Sequence, residues 1–138
     1  MNYTITEQFN KRFIIDLGLR PGYEQNAKSF TIEDVKQWYA DWQQKRAKTN
    51  EPYFAGIITA TNFVYVHKEN KTTKSEHEPS VRIEGEITKE YHGHIFNDEE
   101  KTLEIIFDLA SHLGTQGKQE RIHIMFNQKF FVLQNKIS

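Results

Sequence analysis

Cysteine is absent from this 138-residue chain. Disulfide bonds, thiolate catalysis and cysteine-ligated zinc sites are therefore excluded. The chain also lacks a long uninterrupted apolar run, and no small-residue cleavage site follows an apolar stretch near the N-terminus. We therefore expect neither a secretory signal nor a membrane-spanning segment. These absences fit a cytoplasmic protein, and we predict that location.

An excess of charge of one sign is missing as well, because the formal net charge is −1 at pH 7. A general binder of nucleic acid or of anionic membranes needs lysine and arginine in excess on one face, so we expect neither partner. Hydrophobic residues make up 37% of the chain and charged residues 27%, which is typical of a globular protein. The length suits a single domain over residues 1–138.

Two segments in the first half of the chain have clear periodicities. In residues 12–19 large apolar side chains recur at every second position, which predicts a strand with one buried face. Residues 29–48 carry apolar side chains at helical spacing, with Thr31 as the expected N-cap and Asp34 at the capping-box position. This helix ends in basic residues, which complement its dipole.

The middle of the chain predicts two strands separated by a loop. Residues 53–67 are rich in aromatic and β-branched types and indicate one long strand. Residues 68–79 are polar and end in proline, so we expect an exposed, flexible loop there. Residues 80–87 alternate between apolar and charged types and predict a half-buried strand.

The last third predicts a second helix and a further strand. Asn97 is the expected N-cap of a helix that begins with acidic residues and stops at Gly114. Residues 121–126 then alternate as a strand does. Residues 129–134 either continue that strand past a bulge or return beside it after a turn at Asn127–Gln128.

The resulting order of elements is β-α-β-β-α-β, with an optional extra C-terminal strand. It predicts an α+β fold of ferredoxin-like βαββαβ type, in which an antiparallel sheet carries both helices on one face. The core would form where the helices meet the inward side of the strands, through Trp38, Trp42, Phe107 and Leu113 against Phe13, Ile15, Ile83 and Ile124. This fold serves many unrelated functions, so it assigns no activity by itself.

Charged side chains gather on the sheet face that the helices would leave open. The two-residue period of the strands places there Arg12, Asp16, Arg20, Arg82, Glu84, Glu86, Arg121 and His123. The arginines, with Asp16 and Glu86, are the candidate ligand-binding residues, because guanidinium groups hold carboxylates or phosphates. Glu84 and His123 are the candidate catalytic proton acceptors. The alternative is that these charges pair across strands or form a dimer contact.

His92 and His94 form a second, weaker candidate site. In an extended segment the two imidazoles point the same way, which suits two ligands on one metal ion. A third ligand would have to come from His77 or Glu90, and no characteristic spacing indicates either of them. We therefore expect no metal and no other cofactor. The acidic residues that follow are explained by helix initiation.

Two further kinds of site are disfavoured by sequence position. The glycine-rich turn at residues 114–118 follows a predicted helix instead of preceding one, so it does not form a phosphate-binding loop. The exposed positions of the strand at residues 80–87 carry two carboxylates and no aromatic ring, which argues against the stacking of RNA bases.

Three functions remain open at this point. We expect a small domain that binds a small polar or anionic ligand on its open sheet face and forms a homodimer. One alternative is a cofactor-independent acid–base enzyme of isomerase or lyase type, with Glu84 or His123 as the base. Another is a protein–protein interaction or inhibitor module. A concave pocket with Arg82 and Arg121 favours the first two, whereas a flat, apolar-centred face favours the third.

Overall fold

The computed structural model describes residues 2–22 and 28–136. The elements in these ranges are β1 (Asn10–Gly18), α1 (Ile32–Lys48), β2 (Gly56–Glu69), β3 (Thr72–Thr88), α2 (Lys89–His92), α3 (Glu99–Gln116), β4 (Arg121–Phe126) and β5 (Lys129–Gln134). The strands form one antiparallel sheet in the order β2-β3-β1-β4-β5. The predicted α+β, ferredoxin-like fold is therefore confirmed, with β5 as the additional strand.

The core lies between one face of this sheet and the two long helices. Every second residue of β1 from Phe13 to Leu17 is buried, as the alternation predicted, and these residues join one hydrophobic cluster with side chains of α1 and α3. The innermost members include Phe13, Ile15, Ile83, Ile106, Leu109 and Ile124. Trp42 is buried as expected, whereas Trp38 and Phe107 pack at the margin of the cluster. Hydrophobic burial on one face only leaves the other sheet face open to solvent.

Helix α1 begins as the sequence predicts. The Thr31 hydroxyl accepts a hydrogen bond from the backbone N–H of Asp34 at 3.2 Å, and the Asp34 carboxylate accepts one from the N–H of Thr31 at 2.8 Å. These two bonds complete a capping box and satisfy N–H groups that the first helical turn leaves free.

A charged cluster ties α1 to α3 at the other end of the helix. The Asp108 carboxylate accepts hydrogen bonds from Trp42 Nε1 at 3.0 Å and from Arg46 Nη1 at 2.9 Å. Arg46 also donates to the carbonyl of Pro52 at 2.6 Å, and its guanidinium lies over the Trp42 ring. The cluster therefore fixes the two helices and the segment after α1 to one another.

The loop predicted over residues 68–79 is wrong, because this segment forms the end of a long hairpin. The pairing of β2 with β3 runs from Gly56 opposite Gly85 to Glu69 opposite Thr72. Backbone hydrogen bonds hold such a ladder together without apolar side chains, which is why the polar composition misled the prediction. The segment is exposed, as expected, for most of its length.

Pro79 is compatible with this hairpin because of where β1 ends. The carbonyl of Pro79 accepts a hydrogen bond from the N–H of Leu19, just beyond the last paired residue of β1. The N and C=O of one residue point to the same side of a strand, so the missing N–H costs no bond in the β2–β3 ladder.

The second long helix differs from the prediction at both ends. Its N-cap is Asp98, not Asn97, and the Asp98 carboxylate accepts a hydrogen bond from the N–H of Lys101 at 3.0 Å. The helix continues through Gly114, which is buried against Ile122, and Gly117 supplies the C-cap. Gly114 therefore serves close packing of α3 on β4, not termination.

The end of the chain returns as a hairpin. Asn127 and Gln128 have φ angles of 51° and 65°, the combination found in two-residue hairpin turns. Of the two alternatives for residues 129–134, the returning strand is confirmed, since β5 pairs along the whole of β4. Within the described ranges, every helix is too short or too polar to cross a membrane.

Candidate functional site

A cavity of about 620 Å³ opens on the sheet face that the helices leave uncovered. Four strands contribute to it, with a wall of aromatic rings and a floor of polar and charged side chains. The lining residues are Asp16, Leu17, Gly18, Thr61, Asn62, Phe63, Tyr65, Glu78, Ser80, Arg82, Gln119, Arg121 and His123. We call it the open-face cavity.

Asp16 and Arg82 form the floor of this cavity on the two central strands. They stand opposite each other in the β1–β3 register. Arg82 donates through Nε to one carboxylate oxygen at 2.8 Å and through Nη2 to the other at 3.0 Å. The hydrogen bonds to Asp16 raise the pKa of Arg82 above its ordinary value. The guanidinium therefore stays protonated, and Asp16 holds it in one orientation.

The β2–β3 hairpin supplies the wall. The ring of Phe63 on β2 lies 5.9 Å from the imidazole of His123 on β4, centroid to centroid, and 5.6 Å from the ring of Tyr65. Strands β3 and β1 lie between β2 and β4. A flat sheet would separate the outer two by about 14 Å at a spacing of about 4.8 Å per strand. The hairpin therefore curves over the open face and makes it concave.

Glu78 is the acidic group of this wall. It stands opposite Phe63 in the β2–β3 register. Within the described residues its carboxylate makes no hydrogen bond or salt bridge, unlike that of Glu76, which accepts from the Tyr65 hydroxyl at 3.2 Å. Desolvation, followed by the nearby charge of Glu78, raises the pKa of Tyr65. Tyr65 therefore remains a neutral hydrogen-bond donor at ordinary pH.

Four of the eight charged residues predicted for the open face line the cavity, namely Asp16, Arg82, Arg121 and His123. The other four do not. Arg12, Glu84 and Glu86 share the same face but form their own cluster, in which Arg12 lies 3.2 Å from Glu86 and 3.9 Å from Glu84. Arg20 lies outside the lining, where its backbone carbonyl accepts from Gln119. The candidate base Glu84 is thus separate from the candidate base His123.

Sequence reasoning missed Phe63, Tyr65 and Glu78 as site residues. Phe63 and Tyr65 were placed in a strand, but the sequence did not indicate which sheet face they occupy. Glu78 was placed in the segment that was wrongly predicted to be a loop. A signal was present, since the two-residue spacing that includes Arg82 and Ser80 continues back to Glu78. It was hidden because the predicted strand began only at residue 80.

His92 and His94 do not resemble a metal site. Nδ1 of His92 accepts from the N–H of Thr88 at 3.1 Å, and Nε2 lies 3.3 Å from the carbonyl of Tyr53. Both ring nitrogens are therefore occupied, and burial lowers the pKa of this imidazole. Across residues 2–22 and 28–136, no group of three potential metal-ligating His, Asp or Glu side chains comes together.

The open-face cavity has the chemistry of a site for a flat, charged small molecule. Its rings can stack on a planar heterocycle or attract a cation to their faces. Arg121 makes no hydrogen bond or salt bridge to the described residues, so it remains available to an anion. Glu78 and His123 can each accept a proton.

Comparison with solved structures finds the same fold elsewhere. The chain is similar to a phage SAM lyase in complex with S-methyl-5'-thioadenosine, with a TM-score of 0.68 and 17% identity over 98% of this chain and 99% of that one. The apo state of a phage SAM lyase gives a TM-score of 0.61 at the same identity and coverage. No family model and no curated protein matches the sequence. At this identity the likeness establishes the fold and its extent over both whole chains.

Proposed function

We propose that this chain binds an adenosyl sulfur compound in the open-face cavity and cleaves a carbon–sulfur bond of S-adenosylmethionine. The observation that carries the proposal is the make-up of that cavity, in a chain whose fold matches a SAM lyase from end to end. An aromatic wall, a carboxylate and arginines meet in one concave site. The proposal makes the expected small polar ligand an adenosyl sulfur compound. It also takes the lyase, one of the two alternatives from the sequence, as the reaction.

The parts of the proposed ligand correspond to parts of the cavity. The adenine is planar and would stack on the rings of Phe63, Tyr65 or His123. The sulfonium is a cation, which the faces of these rings and the carboxylate of Glu78 attract. The amino-acid tail ends in a carboxylate, for which the cavity holds arginines. A flat interaction surface would offer none of these features, which favours a small ligand over a protein partner.

The leaving group of this reaction needs no proton donor. When the bond between sulfur and the amino-acid tail breaks, both electrons stay on sulfur, and the sulfonium becomes a neutral thioether. As this bond breaks, either the adjacent carbon of the tail loses a proton or the carboxylate of the tail attacks the carbon that leaves sulfur. The first route makes an unsaturated amino acid and delivers the proton to Glu78 or His123. The second makes a lactone and needs no base.

The experiment is turnover of S-adenosylmethionine by the purified protein, with S-methyl-5'-thioadenosine measured by liquid chromatography and mass spectrometry. We expect release above the spontaneous rate, and a loss of about tenfold or more in Glu78→Gln, which removes the charge that attracts the sulfonium. Glu90→Gln, an exposed acid on α2, is the matched control and should turn over normally. Release at only the spontaneous rate by the wild-type protein would overturn the proposal.

The second product identifies the route. An unsaturated amino acid and a lactone are isomers, so nuclear magnetic resonance of the reaction mixture distinguishes them where mass does not. A base is required only for the unsaturated product, and in that case the loss in Glu78→Gln or His123→Gln should reach about a hundredfold.

The expected homodimer is part of this proposal. The exposure of Phe130 and Val132, on the open-face side of β5, supports association, because large apolar side chains gain free energy when they leave water. Sedimentation equilibrium of wild type and Phe130→Ser tests it, with a monomeric wild-type protein as the contrary result. A cytoplasmic location and the lack of nucleic-acid binding stay predictions.

A further inference from the structure

The Asp16–Arg82 pair uses only one edge of the arginine. Nε and Nη2 of Arg82 donate to the two oxygens of Asp16. Nη1 makes no hydrogen bond to any residue that the structure describes, and Arg82 lines the open-face cavity. A guanidinium carries five N–H groups in a rigid plane, so fixing one edge also fixes the direction of the other donors.

Asp16 is less suited to contact a ligand than the sequence suggested. Both of its oxygens accept from Arg82, and its negative charge is compensated within the pair. Its side chain is 28% exposed against 39% for Arg82, so the arginine is the member of the pair that is more open to the solvent. The carboxylate therefore acts on the site through Arg82.

The position of the pair in the sheet makes it stiff. Asp16 stands on β1 opposite both Arg82 on β3 and His123 on β4, in the middle of the sheet. The residues before and after it on β1, Ile15 and Leu17, are fully buried in the core. Arg121 also lines the cavity but is exposed and forms no such pair with the residues that the structure describes, so binding an anion would immobilise more of its side chain.

We propose that Arg82 binds the carboxylate of the ligand's amino-acid tail through its Nη1 edge, and that Asp16 is the positioning residue that holds the guanidinium in place. The pair then makes the site specific for adenosyl compounds that carry a carboxylate over those that lack one. This inference rests on the proposed function, since it assigns the tail of the same ligand.

The test compares two stable ligands by isothermal titration calorimetry. S-adenosylhomocysteine carries the amino-acid tail, whereas S-methyl-5'-thioadenosine lacks it. We expect Arg82→Gln to weaken the binding of S-adenosylhomocysteine by about tenfold or more, because a charge-assisted hydrogen bond is lost. The binding of S-methyl-5'-thioadenosine should change by less than about twofold, since it makes no contact with Nη1.

Two further variants separate positioning from charge. Asp16→Asn removes one acceptor and also the negative charge beside Arg82. The lost charge alone would strengthen the attraction for a carboxylate, so the expected weaker binding of S-adenosylhomocysteine, with unchanged binding of S-methyl-5'-thioadenosine, reports the loss of positioning. Arg121→Gln is the matched control, because it removes a guanidinium from the same cavity without touching the pair. Arg121→Gln should lower the affinity for S-adenosylhomocysteine by a smaller factor than Arg82→Gln does. Thermal unfolding of each variant shows that it is folded at the temperature of the titration.

The outcomes are distinct. An equal loss for both ligands in Arg82→Gln or Asp16→Asn would mean that the pair maintains the shape of the cavity, and would overturn the assignment. No loss for either ligand would overturn it as well. If the wild-type protein binds both ligands, and the variants change the affinities for both ligands by the same factor, this inference alone is refuted. A wild-type protein that binds neither ligand refutes the proposed function with it.

Discussion

The ring of Phe63 contacts the imidazole of His123 although two strands separate their own strands in the sheet. This contact closes the β2–β3 hairpin over the central strands and joins the wall of the open-face cavity to its floor. His123 is also in contact with Phe130 of β5, at 5.3 Å between ring centroids. The imidazole therefore lies among aromatic rings that come from both edges of the sheet.

Phe63→Ala should weaken ligand binding without unfolding the protein. Phe63 is 47% exposed, so the loss of its ring creates no cavity in the core, but it removes a stacking surface for adenine. Stacking of a base on an aromatic side chain contributes about 1–3 kcal/mol, which corresponds to an increase of about 5-fold to 150-fold in the dissociation constant of S-methyl-5'-thioadenosine. Val66→Ala, on the other face of the same hairpin, is the control. Equal affinities for wild type and Phe63→Ala would contradict the position of the ligand.

Asp108→Ala should lower the free energy of unfolding by about 1–2 kcal/mol, because Trp42 Nε1 and Arg46 Nη1 lose their shared acceptor. Chemical denaturation with urea measures the change. Asp41→Ala is the comparison, since among the described residues Asp41 accepts only from Gln37, on the exposed side of α1. It should change the stability by less than about 0.5 kcal/mol. Similar values for both variants would show that the α1–α3 cluster contributes no more than a surface contact.

Gly85→Ala should destabilise the fold by about 2 kcal/mol or more through overpacking. A Cβ at this position would collide with the ring of Phe13 and would lie 2.8 Å from the carbonyl oxygen of Ala55. Phe13 is fully buried and cannot move aside without opening the core. Thermal unfolding measures the effect as a lower midpoint for Gly85→Ala than for the wild type. Glu86→Ala, at the neighbouring exposed position, is the control. A Gly85→Ala midpoint equal to wild type would show that Phe13 repacks freely.

His92 should make the stability depend on pH. Burial lowers the pKa of this imidazole in the folded protein below the ordinary value of 6.5. The unfolded chain therefore binds a proton first as the pH falls, so stability decreases from pH 6.5 down to the lowered pKa of the folded state. Above that range the contribution is fully present.

Urea denaturation at several pH values checks this expectation. His92→Gln should lose part of the decrease in stability below pH 6.5, whereas the exposed His94→Gln should keep most of it, because burial is the largest cause of the lowered pKa of His92 and the charge of His94 the smallest that lowers it. The same pH dependence in His92→Gln and wild type would assign the effect to other groups.

The sequence carried enough local information for the order of the elements. The capping box at Thr31 and the alternation around Ile15 depend on neighbours within a few residues, so they could be predicted from the chain alone. The limits of the β2–β3 hairpin could not. The end of the hairpin near Glu69 and Thr72 has polar residues on both strands. These residues are extended because of the backbone hydrogen bonds between the two strands, not because of their side chains.

The site was predictable in part for the same reason. Period two puts Asp16, Arg82 and His123 on one face, and the register confirms that they share it. Which residues of that face enclose a cavity depends on how far the hairpin curves, and this separates Arg82 from Glu84, two positions away. Curvature of this kind arises from contacts between distant strands, such as that of Phe63 with His123, and leaves no local pattern.

The measurement that tests the account most directly is a crystal structure of the protein with S-methyl-5'-thioadenosine bound. We predict that the adenine lies in the open-face cavity against Phe63, Tyr65 or His123, with Glu78 close to the sulfur. A ligand bound elsewhere would contradict the account, for example in the cavity of about 690 Å³ that Tyr53 and Tyr91 line. An empty open-face cavity at a saturating ligand concentration would contradict it as well.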